Sequence, residues 1–391
     1  MGSTEPPKRE RLPSVDILRG VVMAVMALDH VRDYFYHTLL NWMDPAQTRA
    51  DLFLTRFAAQ FCAPAFFLLA GMGAALSRAG GKPTATVAGF LFRRGLVLIA
   101  LDLTVVRLAW DFNFQYEGGP WFIVLSALGV SMMAVAGLMF LPRWCAVVVA
   151  VGLIGSGNGL DGLIAGDDGP LHPLWVVLRL GGSAELFGWP FYVTYTLVPW
   201  VGVMVLGYVL GPILLTEPER RRRTLWLAGA VFFLGFATAR TFGLYGDPRP
   251  WQPDVDHPLT ILSFFRTKKY PASVQHVLLF VGLLLVALSL LDRVKGDGRA
   301  SRWFIQLGRA PLFYYVVHVY AIHALAVVLG LIQGFPLPDL LVLYTRLPEG
   351  YGIGLGGLYL VWLIVLAMCY PVCVWFDGVK RRYKAAWLAY L

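Results

Sequence analysis

The chain has 391 residues, 58% of them hydrophobic and only 15% charged, with a mean hydropathy of +0.63. Soluble domains carry about 25% charged residues, so this composition excludes an ordinary soluble enzyme and predicts an all-α polytopic membrane protein. The formal charge of +9 reads as membrane topology and contact with anionic lipid, and it sets nucleic acid aside as a partner.

In chain order, residues 1–13 are expected as a cytoplasmic tail. Lys8, Arg9 and Arg11 could pass for the basic start of a signal peptide. Asp16 and Arg19 interrupt the apolar stretch behind them, so a retained first span is the better expectation. Apolar runs of about 18–25 residues predict about ten spans, and at most twelve. They are Val15–His37, Leu52–Ser77, Gly89–Ala109, Trp121–Leu141, Trp144–Ser156, Phe191–Leu215, Leu225–Phe242, Ser273–Leu291, Pro311–Ile332 and Leu355–Phe376. The fifth is short, and Leu174–Leu180 is a candidate half-span. Together they form one membrane domain over 14–377, followed by a second tail over 378–391.

Alternating the loops puts twenty-one lysines and arginines on the side of the N-terminus and seven on the other. The positive-inside rule then puts both termini in the cytoplasm. The connections on the far side are longer and richer in Trp, Tyr and acids, as binding loops at an interface would be. No internal repeat of the kind common in transporters is visible.

The first span carries the chemistry. Ser14 to His37 contains Asp16, Arg19, Asp29, His30, Arg32 and Asp33. A charge at membrane depth costs roughly 2.5–3.5 kcal/mol, so such groups face a protein interior or a wet cavity. At 100° per residue, Arg19 and His30 lie within about 20° of one another and about 16 Å apart along one face, which His37 extends. His30 is the expected general base, with Asp29 orienting it and His37 as a second candidate. Arg19, Arg93, Arg94 and Arg309 form an expected cationic mouth for the phosphates of a donor. Arg56, Asp102, Arg107, Lys268 and His318 are expected to line the acceptor side, with Lys268, Arg107 or tyrosines as oxyanion donors. Each of these groups also has a structural reading, as an interhelical hydrogen-bond partner or ordinary positive-inside charge.

The four cysteines sit in apolar runs without zinc spacing, and they read as small buried hydrophobes. No nucleophile elbow, Walker sequence, zinc-protease helix or metal-like carboxylate cluster occurs, so no metal is expected.

Arg11-Leu-Pro-Ser-Val-Asp-Ile-Leu-Arg-Gly20, followed by Asp29-His30, resembles the transmembrane acyltransferase superfamily. Phe61-Cys-Ala-Pro-Ala-Phe-Phe-Leu-Leu-Ala-Gly71, Thr267-Lys-Lys-Tyr-Pro271 and Pro311-Leu-Phe-Tyr-Tyr-Val-Val-His318 are similar to bacterial members of its heparan-α-glucosaminide N-acetyltransferase-like family. The resemblance implies acetyl transfer from cytosolic acetyl-CoA to a sugar or glycan across the membrane, with His30 in the place of the essential histidine. The implied partners are the bilayer, acyl-CoA, the acceptor and a second copy of the chain, in a bacterial inner membrane. A proton-coupled transporter or flippase for an envelope substrate is the alternative reading.

Overall fold

Pro13 occupies the first turn of helix α1 (Pro13–Phe35), where its missing N–H costs nothing, and Asp16 lies in the same turn against the positive end of the helix dipole. The computed structural model describes residues 12–36, 41–44, 47–115, 118–164, 169–254, 258–383 and 385–390, which are mostly helical. Helices α2 (Ala50–Ala59) and α3 (Cys62–Ala79) form one apolar stretch interrupted at Gln60 and Phe61. Helix α4 (Thr84–Leu101) loosens into a π-helical stretch, Asp102–Val106, and continues as α5 (Arg107–Asp111). There follow α6 (Val124–Leu138), α7 (Arg143–Ile164), the short α8 (His172–Trp175), α9 (Leu197–Leu210) and α10 (Pro218–Thr241). The chain ends with the short α11 (Thr260–Phe264), then α12 (Val274–Leu291), α13 (Arg299–Gly308), α14 (Pro311–Ile332) and α15 (Leu355–Arg382).

All ten expected spans are occupied by helix, but among the described residues seven helical stretches are long and apolar enough to cross a membrane. These are Ala50–Ala79, α7, Leu197–Leu215, α10, α12, α14 and α15. The other three expected spans fall on α1, on α4 running into α5, and on the 15-residue α6. Large apolar side chains such as Val148 and Val151 on α7, Val231 and Leu234 on α10 and Leu360 on α15 face outward, as lipid contact requires. The chain is an integral membrane protein.

One feature departs from the all-helical expectation. Strands β1 (Trp121–Phe122), β2 (Gly182–Leu186) and β3 (Trp189–Val193) form a small sheet in the order β1-β3-β2. β2 and β3 make an antiparallel hairpin with Leu186 opposite Trp189, and β1 pairs parallel to β3 with Trp121 opposite Tyr192. The hairpin turns at Phe187 and Gly188, both at positive φ, which suits the right-handed twist of its strands.

Helix α1 is surrounded. It packs against α2, α3, α12, α13, α14 and α15, so its charged groups face protein on several sides. Its approach to α13 depends on absent side chains: a Cβ at Gly20 would lie 1.9 Å from the Phe304 carbonyl oxygen, and one at Gly308 would lie 2.1 Å from that of Asp16. Small residues let helix backbones meet this closely. Gly20→Val is therefore expected to separate the two helices at a cost of about 1–3 kcal/mol. Melting of the detergent-solubilised protein measures this, and a variant as stable as the parent contradicts the contact.

Candidate functional site

His30 is the centre of the polar face of α1. Its Nδ1 lies 2.8 Å from Nε2 of His318 on α14, and the rings stack at 5.0 Å with 14° between planes. The Nδ1 of His318 lies 2.9 Å from the Tyr314 carbonyl oxygen. A carbonyl only accepts, so that Nδ1 carries the proton and the Nε2 of His318 is left to accept from His30. His30 thus donates through Nδ1, and its Nε2 keeps a lone pair. His318 is fully buried and His30 half-buried. Trp110 and Tyr315 stand edge-on to His30, with ring centroids at 4.9 and 6.2 Å.

Asp29, expected to orient the imidazole, is turned elsewhere. Its Oδ2 accepts from Arg56 Nη1 at 2.5 Å, and its Oδ1 lies 3.2 Å from Arg32. Consecutive helical residues point about 100° apart, so Asp29 and His30 serve different partners. The side chain hydrogen-bonded to the His30 imidazole is instead His318, expected on the acceptor side. His37 lies outside the described residues.

On the N-terminal side of His30 lies a cavity of about 840 Å3. Its lining includes the cations Arg19, Lys82, Arg94, Arg309 and Lys380, with Asp16 as the one acid among its lining residues. Arg19 pairs with Asp16 at 3.3 Å, and Arg309 lies 3.7 Å from Asp377. The Nε of Arg94 is buried without a hydrogen-bond partner among the described residues. Aliphatic side chains, among them Leu69, Leu98, Leu125 and Leu128, make up much of the rest of the lining, which also includes Tyr315. Tyr315 is also the ring edge-on to both His30 and His318. Arg93, expected with Arg94, is exposed, and its Nε donates to the Gly89 carbonyl. It precedes Arg94 by one residue, about 100° around the helix, and is not part of the cavity lining.

The remaining acceptor-side expectations divide. Arg56 reaches the His30 region through Asp29. Asp102 Oδ2 instead accepts from the backbone N–H of Ile123 and Ser126, at 3.0 and 2.8 Å, and caps the start of α6. Arg107 is paired with Asp111 and lies 3.4 Å over the Trp121 ring. Lys268 is half-buried, with its N–H on Asp247 Oδ2 at 2.8 Å. The buried lysine of that loop is its neighbour, Lys269, 6% exposed. Beyond His30, Tyr195 and Tyr270 meet through their hydroxyls at 3.2 Å, and burial holds the Tyr195 phenol well above its usual pKa, with Tyr270 adding to the effect. The Tyr344 phenol is held up by the nearby Asp33 carboxylate together with burial. Among the described residues no group of three or more His, Cys, Asp or Glu is placed to hold a metal ion.

A family model described as heparan-alpha-glucosaminide N-acetyltransferase, catalytic, matches residues 11–244. The chain belongs to this family. No curated protein matches the chain. The heparan-alpha-glucosaminide N-acetyltransferase family consists of membrane acetyltransferases, and the matched region carries His30, Asp29 and most of the cavity wall. His318, Lys269 and Tyr315 lie beyond it. Tyr315 precedes His318 by three residues, so the shared helix face was a readable signal. Lys82 and Lys380, also in the lining, lie in segments whose charge the positive-inside rule alone would explain.

The Asp29 cluster makes a checkable demand. Removing the shared carboxylate in Asp29→Ala leaves Arg56 without its ion-pair partner near the core, while Arg32 keeps Asp33. Breaking a buried pair in this way costs about 3–5 kcal/mol. Denaturant or thermal unfolding in detergent reads this directly, and an unchanged melting temperature contradicts the pairing.

Proposed function

We propose that the protein transfers an acetyl or acyl group from acyl-CoA, bound in the Arg19 cavity, to a sugar or glycan acceptor on the opposite side of the membrane, with His30 as general base. The observation that carries the reading is the continuity of the cavity. Its lining combines cations with apolar side chains and includes the tyrosine that contacts the His30–His318 pair. Arg19 and His30 are eleven residues apart on α1, or about 16 Å at 1.5 Å per residue. That separation suits phosphates held at the mouth and a pantetheine arm reaching inward. Guanidinium groups bind phosphate in a bidentate fashion, which fits Arg19, Arg94 and Arg309.

In this reading the acceptor amine or hydroxyl attacks the thioester carbonyl carbon while His30 Nε2 takes its proton. The imidazolium that forms is stabilised by its Nδ1–H bond to His318, whose own tautomer is fixed by the Tyr314 carbonyl. The tetrahedral intermediate collapses as the C–S bond breaks, and His30 returns the proton to the departing CoA sulfur. The charge asymmetry of the loops supports ten spans, with both termini and the cavity mouth on the cytoplasmic side, as in a bacterial inner membrane. A transporter would share the polar face of α1, and nothing else in the structure favours it.

Two measurements test the proposal. CoA or acetyl-CoA is expected to raise the melting temperature of the solubilised protein, and Arg94→Gln to weaken that binding about tenfold, as loss of a charge-assisted phosphate contact of about 1.4 kcal/mol would. His30→Ala is expected to keep CoA binding and to lose about 100- to 10,000-fold in transfer of labelled acetyl groups. Full activity in His30→Ala, or no response to CoA in the parent protein, refutes the reading.

A further inference from the structure

Two aromatic edges stand against the His30 imidazole, those of Trp110 and Tyr315. They are not equivalent. Trp110 is not part of the cavity lining, whereas Tyr315 belongs to it. The helix repeat explains how Tyr315 gets there. Pro311, Leu312 and Tyr315 share one face of α14 at spacings of three and four, and all three line the cavity. One turn further the same face carries His318, whose ring meets the Tyr315 edge at 5.6 Å and 61°. Tyr315 thus touches both imidazoles and the cavity at once.

No other residue combines these contacts. Among the described residues, the hydrogen bonds and ring contacts of His30 and His318 are with each other, Trp110, Tyr314 and Tyr315. Of this set only Tyr315 lines the cavity. Its side chain is 5% exposed, and much of the lining around it is aliphatic. With the cavity filled by a donor, negative charge developing there has little water to solvate it. A fixed hydrogen-bond donor is then worth far more than it is in bulk solvent. The Trp110 indole comes within hydrogen-bond reach of the Tyr315 phenol. An indole N–H only donates, so a bond between the two leaves the phenol proton free for a further acceptor.

We propose that Tyr315 is a catalytic residue for the acyl transfer, its phenol O–H donating to the oxyanion that forms on the thioester carbonyl when the acceptor attacks. Attack places the carbonyl electron pair on oxygen, and the O–H dipole of Tyr315 stabilises it there. The pair returns to re-form the carbonyl as the C–S bond breaks. The phenol keeps its proton throughout, and His30 carries the acceptor's proton to the departing sulfur, so the proton balance is unchanged. The inference rests on the acetyltransferase reading above.

The test uses the full chain in lipid nanodiscs, with acetyl-CoA as donor and glucosamine as the acceptor probe, reading release of the CoA thiol. Tyr315→Phe removes the hydroxyl and keeps the ring against both imidazoles. Loss of one oxyanion donor costs about 100- to 1,000-fold in kcat, and Tyr315→Phe is expected to show that loss. The KM for glucosamine, the CoA-induced rise in melting temperature and the midpoint of the pH profile of kcat are expected to stay as in the parent. A kcat within about tenfold of the parent overturns the inference, as does a loss confined to KM or to CoA binding. A shifted pH profile also overturns it, because the phenol would then act through His30. Should Tyr315→Phe fail to fold, or glucosamine fail as an acceptor, infrared spectra of the wild type with carbonyl-13C acetyl-CoA decide. A bound thioester band below its position in an apolar solvent supports the inference, and a band at that position overturns it. The parent reading has its own control. A wild type that neither releases thiol nor responds to CoA overturns both, whereas release that survives Tyr315→Phe overturns this inference alone.

Discussion

The bond between His30 and His318 is only as directional as the carbonyl behind it. Tyr314 offers an oxygen that cannot donate, and this fixes the proton on His318 Nδ1. That in turn makes His318 Nε2 an acceptor and His30 Nδ1 a donor. The lone pair left on His30 Nε2 is therefore set by a backbone atom on a different helix. Both imidazoles are held by a neighbour on α14, which removes the rotational freedom a lone histidine on a helix face would keep. Everything proposed about proton transfer depends on α1 and α14 meeting at this point.

That meeting depends on how α1 is housed. A helix with Asp16, Arg19, Asp29, Arg32 and Asp33 could not face lipid along its length. Its charges are paired within the helix and with one neighbour: Asp16 with Arg19 at one end, and Asp29 and Asp33 with Arg32, and Asp29 with Arg56 of α2, toward the other. Between them the face is apolar and lines the cavity through Met23. The glycine contact with α13 sets the depth at which the Arg19 end is seated. In the proposed reading the helix separates a phosphate-binding end from a proton-transfer end by a stretch of apolar wall.

Helical periodicity made part of this legible in the sequence. The spacing of Arg19 and His30 follows from 100° per residue, and the helices fall on all ten apolar runs. Other features needed contacts that no local pattern carries. His318 lies 288 residues from His30, so their pairing exists only once α14 packs on α1. Asp29 was assigned to its sequence neighbour, although adjacent residues on a helix diverge. Lys268 and Lys269 occupy a loop without periodicity, and only burial in the fold distinguishes Lys269 as the inward side chain. The apolar run beginning at Phe191 read as the start of a span; its first residues are strand β3, and α9 begins at Leu197. Helix α7 runs on through Gly155, Gly157 and Gly159 to Ile164, past the expected end at Ser156. There Gly157 makes room for Arg179, which holds Asp161 at 2.7 Å.

The proposed reaction requires acyl-CoA to lie in the Arg19 cavity with its thioester at His30. A cryo-electron microscopy map of the protein with a non-hydrolysable acetyl-CoA analogue tests it most directly. Phosphates are expected against Arg19, Arg94 and Arg309, and the thioester-equivalent carbon in the region between His30 Nε2 and Tyr315, close enough to leave an acceptor about 3–3.5 Å from the carbon it attacks. Analogue density outside that cavity, or an acyl end directed away from His30, would contradict it.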